Sequence, residues 1–187
     1  MCPVIAAPGK MSGLAAPGYN RTMEIASTVL GLAHGDDAAS IARMSRDEIE
    51  RGLDWRWRPP AIRRLIASPE VAVLCAKCRI ETQTLAVGER NFLGGFGIME
   101  YGLDRAHLVL LAVDPKLRRQ GLARRLVRWL EKSARTAGIS QVRLEVRADN
   151  TGARQFYVNE GFRLGEYLPG FYQGRASAYR MSKDLRP

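Results

Sequence analysis

The stretch between residues 107 and 161 constrains this chain most. It opens on an uninterrupted apolar run, Leu108-Val109-Leu110-Leu111-Ala112-Val113, which Asp114-Pro115 ends. A run of that length closed by a turn reads as a buried strand over 107–113. A helical pattern follows over 121–137. Leu122, Leu126, Trp129, Leu130, Ala134 and Ala137 share one face, Arg124, Arg125, Arg128, Lys132 and Arg135 fill the rest, and Gly138 caps the end. Gln141–Arg147 then alternates, with Val142, Leu144 and Val146 on one side and Arg143, Glu145 and Arg147 on the other. A second helix is predicted from Asn150 to Glu160, stopped by Gly161. Strand, helix, strand, helix in that order is a parallel βαβα unit, and it commits the chain to an α/β sheet.

The flanking sequence supplies further elements. A helix is expected after Gly35, with Asp36 and Asp37 at its start and Ile41 and Met44 on one face. Ser45-Arg46-Asp47-Glu48 has the form of a capping box, which predicts a new helix or a kink there, ending at Gly52. After Trp55-Arg56-Trp57-Arg58-Pro59-Pro60, Ile62, Leu65 and Ile66 keep helical spacing until Pro69. Strands are predicted over 71–77 and 92–101, joined by a turn at Gly88-Glu89-Arg90-Asn91. Two more are predicted over 162–168 and 176–183, around a loop holding Pro169-Gly170. Residues 1–22, rich in Ala, Gly and Pro, read as a flexible tail, and 23–187 as one domain. The start lacks the basic-then-apolar form of a signal peptide and no apolar run reaches membrane-span length, so a cytoplasmic protein with no membrane partner is expected.

The chain carries 29 Lys+Arg against 19 Asp+Glu, a net charge of +10. Residues 1–100 hold 12 basic and 11 acidic side chains, and residues 101–187 hold 17 and 8. A surplus so placed points to a polyanionic partner of the second half: a phosphorylated ligand, an acidic surface or nucleic acid. Nucleic acid is the least favoured, because the arginines concentrate on one loop and one helix rather than along a face with interleaved aromatics. Of the three cysteines, Cys75 and Cys78 have CxxC spacing but lie in a predicted strand. The remaining Cys2, His34 and His107 are scattered, so no metal site is expected and both histidines read as structural or surface residues.

The densest positive run is Lys116-Leu117-Arg118-Arg119-Gln120-Gly121-Leu122-Ala123-Arg124-Arg125, at the start of the long helix. A helix N-terminus presents unpaired N–H groups and a partial positive charge, and Gly121 and Ala123 keep side chains out of an anion's way. The run is compatible with a pyrophosphate cradle and equally with a solvated basic helix start. It matches neither the P-loop nor the Rossmann pattern.

Arg118-x-x-Gly121-x-Ala123 after Val113-Asp114-Pro115 resembles the acyl-CoA motif of the GNAT N-acetyltransferases. Asn150-x-x-Ala153-x-x-Phe156-Tyr157-x-x-x-Gly161-Phe162 resembles the family's next motif, in the expected order and distance. Leu144-Glu145-Val146-Arg147-Ala148-Asp149-Asn150 with Tyr157 is most similar to the bacterial ribosomal-protein N-terminal alanine acetyltransferases. The resemblance implies a mixed, mostly antiparallel sheet with one splayed parallel strand pair forming the acyl-CoA cleft, and helices on both faces. It implies acetyl-CoA as co-substrate and a primary amine as acceptor, with a protein N-terminus foremost. By the same resemblance Leu111, Ala112 and Val113 offer backbone groups to the pantetheine, Arg118, Arg119, Gln120, Gly121, Leu122, Ala123 and Arg124 surround the pyrophosphate, and Asn150 touches the cofactor. Glu145 is the implied general base and Tyr157 the implied general acid.

The chemistry matches those roles, since an amine attacking a thioester needs a base, a held oxyanion and a proton for the leaving sulfur. Parallel strands bring Val113, Glu145 and Tyr157 toward one edge of the sheet. On the residues alone, pairing of Glu145 with Arg143 or Arg147, a core-edge place for Tyr157 and a helix-capping role for Asn150 stand open as alternatives. After the last helix, Phe171-Tyr172-Gln173-Gly174-Arg175-Ala176-Ser177 keeps an aromatic pair but has Ala176 and Ser177 where that group carries two acids. An acetyltransferase of small amines (amino acid, polyamine or antibiotic) therefore stands as the alternative. Trp55 and Trp57 read as packing residues or as part of the acceptor wall.

Overall fold

Strand β4 (Arg105–Val113) and strand β5 (Gln141–Arg147) lie side by side and parallel, joined by helix α3 (Leu122–Thr136). The remaining strands are β1 (Ile25–Leu32), β2 (Val71–Ile80), β3 (Arg90–Tyr101), β6 (Arg163–Tyr172) and β7 (Ala176–Asp184). The remaining helices are α1 (Ala38–Glu48), α2 (Pro59–Ala67) and α4 (Thr151–Asn159). A computed structural model describes residues 25–80 and 90–186. The predicted tail over 1–22, and Gly88 and Glu89 of the predicted turn, lie outside the described residues. The seven strands form one sheet in the order β1-β2-β3-β4-β5-β7-β6. All pairs are antiparallel except β4 with β5.

Helices cover both faces. On one, α3 buries Leu122, Leu126, Val127, Leu130 and Ala134 against Leu108, Leu111, Val113, Val142, Leu144 and Val146. On the other, Ile41, Ala42, Ile49 and Ile62 pack onto Phe96, Ile98, Val109, Leu110 and Ala112. Each such aliphatic side chain contributes about 1.5–3 kcal/mol by leaving water. The predicted α3 stripe is shifted: Val127 is buried, while Trp129 is 36% exposed and Ala137 is exposed. Trp129 falls at the flank of the stripe set by Leu122, Leu126, Leu130 and Ala134, and Gly95 on β3 leaves room for Leu126 and for the backbone of β4. A Cβ there would lie 2.9 Å from the Ala112 carbonyl oxygen.

Three expectations change. β1 is a strand where none is expected; it is an edge strand with Val29 and Leu32 exposed, so its apolar pattern does not alternate inward. Ser45 starts no new helix, because α1 runs through it and its hydroxyl donates instead to the buried Glu50 carboxylate at 3.1 Å. The Pro169-Gly170 segment is part of β6 rather than a loop. β6 is the other edge strand, where proline is tolerated, and its register shifts on both sides of Tyr167–Leu168 absorb the irregularity.

Candidate active site

β4 and β5 pair only over Arg105↔Gln141, Ala106↔Val142 and His107↔Arg143. A register shift against β3 follows at once: Met99 opposes Leu108 and Ile98 opposes Leu110, leaving Val109 as a bulge. A bulge bends its strand and increases the local twist. β4 therefore diverges from β5 while staying paired to β3 as far as Val113. Among the described residues no strand pairs with the β5-facing edge of Leu108 to Val113. Apart from the Val113 carbonyl, which Arg118 occupies, the backbone groups of that edge are open to a ligand.

At the wide end of this gap lies a groove of about 360 Å³. Leu111, Ala112 and Val113 form one wall, Arg118, Arg119, Gly121, Leu122, Ala123 and Arg124 the next, and Gly152, Ala153 and Phe156 of α4 the opposite side. Arg119 (φ 65°) and Gly121 (φ 78°) both take left-handed backbone, which folds the loop tightly onto the start of α3. No side chain caps that helix, and its first backbone bond runs from Arg125 N–H to the Gly121 carbonyl at 3.1 Å. The Leu122, Ala123 and Arg124 amides thus precede the ladder and face an anion-binding concavity.

The side chains of the predicted cradle are differently employed. Arg118 donates to the Val113 carbonyl at 3.2 Å and pairs with Glu48 of α1, tying the end of β4 to the opposite helix layer. Arg124 binds the buried Glu160 at 2.6 Å, and Arg128 joins it at 3.4 Å. Arg119 is exposed beside the groove. Gln120 lies outside the groove lining, its amide donating to the Lys116 carbonyl at 3.2 Å. Asn150 also lies outside that lining; it caps α4, its Oδ1 accepting from the Ala153 N–H at 3.0 Å.

Tyr157 is wholly buried between Phe156 and Phe162, with ring centroids 5.0 and 5.3 Å away. Its hydroxyl has no hydrogen-bond partner. Burial, and after it the neighbouring Tyr172, push the phenol well above its ordinary value, so it stays protonated. A buried hydroxyl without a partner, one helical turn from the groove-lining Ala153, is a donor awaiting an acceptor.

Glu145 sits on the other face of β5, just beyond the last paired residue of the parallel strands, and is 3% exposed. It pairs with neither Arg143 nor Arg147. Its Oε2 meets His107 Nε2 at 2.8 Å and its Oε1 accepts from Arg180 Nε at 3.0 Å. Burial raises its carboxyl, but the bonds to His107 and Arg180 outweigh burial and hold it below the ordinary carboxylate range. His107 is thus a structural histidine, as expected, with the buried Glu145 as its partner. Arg147 is bound instead to Asp149 at 3.1 Å, and to the Arg51 carbonyl at 3.3 Å. Sequence reasoning missed His107 and Arg180. His107 is the one polar side chain between Ala106 and Val113, which is a usable signal; Arg180 carries none.

The α1–α2 loop closes the same edge. Buried Glu50 accepts the Arg56 and Trp57 N–H groups at 2.6 and 3.3 Å. Trp55 and Trp57 pack on the α1–α2 side of the core, under Arg46, Arg58 and Arg56. Asp54 and Gln173 exchange backbone-to-amide hydrogen bonds at 2.9 and 3.3 Å, and Arg175 binds Asp54 at 3.1 Å. The loop is thereby docked on the β6–β7 turn, leaving Phe171 and Tyr172 beneath it. Cys75 and Cys78 belong to the cores on opposite faces of the sheet and cannot bind one ion together. Among the described residues no cluster of His, Cys, Asp or Glu could hold a metal, and no helix is long and apolar enough to cross a membrane.

Comparison with known proteins bears on this geometry. The Acetyltransferase (GNAT) family matches residues 49–162, more than half of the chain. The [ribosomal protein bS18]-alanine N-acetyltransferase of Escherichia coli K12 is 36% identical over 93 residues, covering 48% of this chain and 63% of that protein. The chain thus spans somewhat less than two thirds of that relative's length. The crystal structure of the E. coli ribosomal-protein-S18-alanine N-acetyltransferase superposes with a TM-score of 0.66 at 23% identity, over 86% of this chain and 96% of that one. PaiA N-acetyltransferase from Thermoplasma acidophilum, solved with coenzyme A, superposes with a TM-score of 0.67 at 19% identity, over 84% of this chain and 99% of that one.

Proposed function

The chain belongs to the acetyltransferase (GNAT) family, and from that premise we propose that it transfers an acetyl group from acetyl-CoA to the α-amine of a protein N-terminus. Acetyl-CoA lies along the open edge of β4, where the backbone of Leu111, Ala112 and Val113 receives the pantetheine. The pyrophosphate rests on the amides of Leu122, Ala123 and Arg124, which precede the helical ladder, with the exposed Arg119 beside it. Arg118 contributes by fixing the turn, and Asn150 by holding the start of α4 against the cofactor. The fit rests on a groove that ends in free helix amides and on the unpartnered hydroxyl of Tyr157, the residue next to the groove-lining Phe156. Tyr157, protonated throughout the folding range, donates to the departing sulfur.

The acceptor enters from the α1–α2 side, between that loop and the β6–β7 turn. The observation that favours an α-amine is the state of Glu145. With both oxygens bound and its carboxyl held low, it is a weak base. An α-amine suits a weak base: near pH 7.5 roughly a third of it is already neutral, against roughly one lysine amine in a thousand. The relatives named as bS18-alanine acetyltransferases support the same reading.

Thiol release from acetyl-CoA tests it, against peptides with free N-termini, peptides with only a lysine amine, polyamines and aminoglycosides. Release with the first group alone is expected. Release confined to the small amines would move the acceptor to that class, and no release with any amine would refute acetyl transfer.

A further inference from the structure

We propose that the acceptor polypeptide carries acidic side chains close behind its α-amine, and that Arg51, Arg56 and Arg58 of the α1–α2 loop receive them. The proposal names the substrate class of the acetyl-transfer site above and rests on that reading.

Three segments meet at the acceptor side. Residues 49–58 join α1 to α2, the β6–β7 turn brings Gln173 and Arg175, and β5 ends in Arg147. Arg147 donates to the Arg51 carbonyl at 3.3 Å, and Arg175 binds Asp54 at 3.1 Å. The loop is thereby held beside the end of the strand that carries Glu145. An extended peptide advances about 3.3 Å per residue. With its amine in the cleft, its next few side chains pass over this loop.

The acids of this rim are already matched. Glu50 is buried and accepts from the Ser45 hydroxyl and from the Arg56 and Trp57 N–H groups. Asp47 and Glu48 at the end of α1 are bound by Arg46 and Arg118. Asp54 is bound by Arg175 and Asp149 by Arg147, while Glu145 and Glu166 share Arg180. Arg51, Arg56 and Arg58 are exposed, and among the described residues no carboxylate forms an ion pair with them. Arg51 and Arg58 use only Nε, donating to the Asp47 and Trp55 carbonyls at 3.2 and 3.3 Å. The rim therefore offers positive charge and no free acid.

The arginines are also preorganised. Exposure alternates along the loop, so that Trp55 and Trp57 pack on the core while Arg56 and Arg58 stay in solvent. Arg58 lies over Trp55 at 5.6 Å from the ring centroid, and Arg56 over Trp57 at 5.3 Å. A guanidinium stacked on an indole keeps its N–H edge for a carboxylate and loses less freedom when it binds one. Nucleic acid fits less well. Base stacking needs open aromatic faces, and both indoles are covered by guanidinium groups and the core.

Thiol-release kinetics test the proposal with peptides that share an N-terminal alanine and continue with acidic, uncharged or arginine-rich residues. The kcat/KM should rank acidic above uncharged above arginine-rich, with about tenfold or more between the extremes, chiefly in KM. The spread should shrink as salt rises from about 0.05 to about 0.5 M. Arg56→Glu combined with Arg58→Glu should cut the acidic-to-basic ratio about fivefold or more. Peptides turned over without regard to charge, or best when arginine-rich, overturn the proposal and leave α-amine transfer standing. Thiol release with small amines and with no peptide refutes the α-amine reading, and the proposal with it. A single-stranded RNA oligonucleotide that binds wild type but not the variant, with no ranking among the peptides, assigns the arginines to nucleic acid and also overturns it. Should the variant fail to fold, the wild-type peptide series at low and high salt decides.

Discussion

Replacing Tyr157 with Phe should push stability and turnover in opposite directions. The hydroxyl is buried without a partner in the ligand-free protein. Leaving a polar group so placed costs about 1–3 kcal/mol, and Phe removes that cost while keeping the ring contacts to Phe156 and Phe162. The ligand-free variant should be more stable by about 1–2 kcal/mol. In a chain of this size each kcal/mol raises Tm by about 2–4 °C. Turnover should nevertheless drop by about 10²–10⁴, the usual worth of a positioned general acid. Acetyl-CoA should still raise the Tm of the variant, since the groove lining is untouched. Scanning calorimetry with and without acetyl-CoA, beside thiol-release kinetics, reads all three. A variant that is less stable than wild type would show that the hydroxyl is satisfied in the free protein. Full turnover would remove Tyr157 from the chemistry.

Other perturbations probe the scaffold. Glu145→Gln removes a carboxylate whose folded pKa is lowered, so its stabilisation is present above the ordinary carboxylate range and is lost as pH falls through the folded value. The variant should be about 1–3 kcal/mol less stable near pH 7 and converge on wild type as pH falls below the ordinary carboxylate range and through the folded value, measured by urea unfolding at several pH values. Gly95→Ala places a Cβ 2.9 Å from the Ala112 carbonyl oxygen and should lower stability by about 1–3 kcal/mol in the same assay. Cys75, whose thiol burial pushes up to about 12, and the buried Cys78 should resist a thiol reagent until the protein unfolds; mass mapping of the labelled cysteines checks this.

The legible part of the sequence was the part with strong local rules. The βαβα unit follows from the apolar run before Asp114-Pro115, the amphipathic α3 and the alternating β5. Gly121 and Ala123 were informative because only small residues leave helix amides accessible. Of the edge strands, β1 was not legible, since its apolar Val29 and Leu32 are exposed on opposite sides of its pleat, and β6 was legible only as far as Leu168, before Pro169. The capping-box pattern at Ser45 was overridden by a tertiary partner, the buried Glu50. The environment of Glu145 was hidden for a similar reason. His107 and Arg180 lie 38 and 35 residues from it, and strand alternation predicts only which face a carboxylate occupies, not who meets it there.

The central claim is that the diverging ends of β4 and β5, with the uncapped start of α3, form an acetyl-CoA site. Calorimetric titration of acetyl-CoA into the purified protein tests it most directly, with Gly121→Val as the comparison. Valine at φ 78° strains the loop and sets a branched side chain beside the waiting amides. The expected result is saturable binding to one site per chain, weakened about tenfold or more in the variant. Absence of binding to the wild type, or unchanged affinity in a folded Gly121→Val protein, would contradict it.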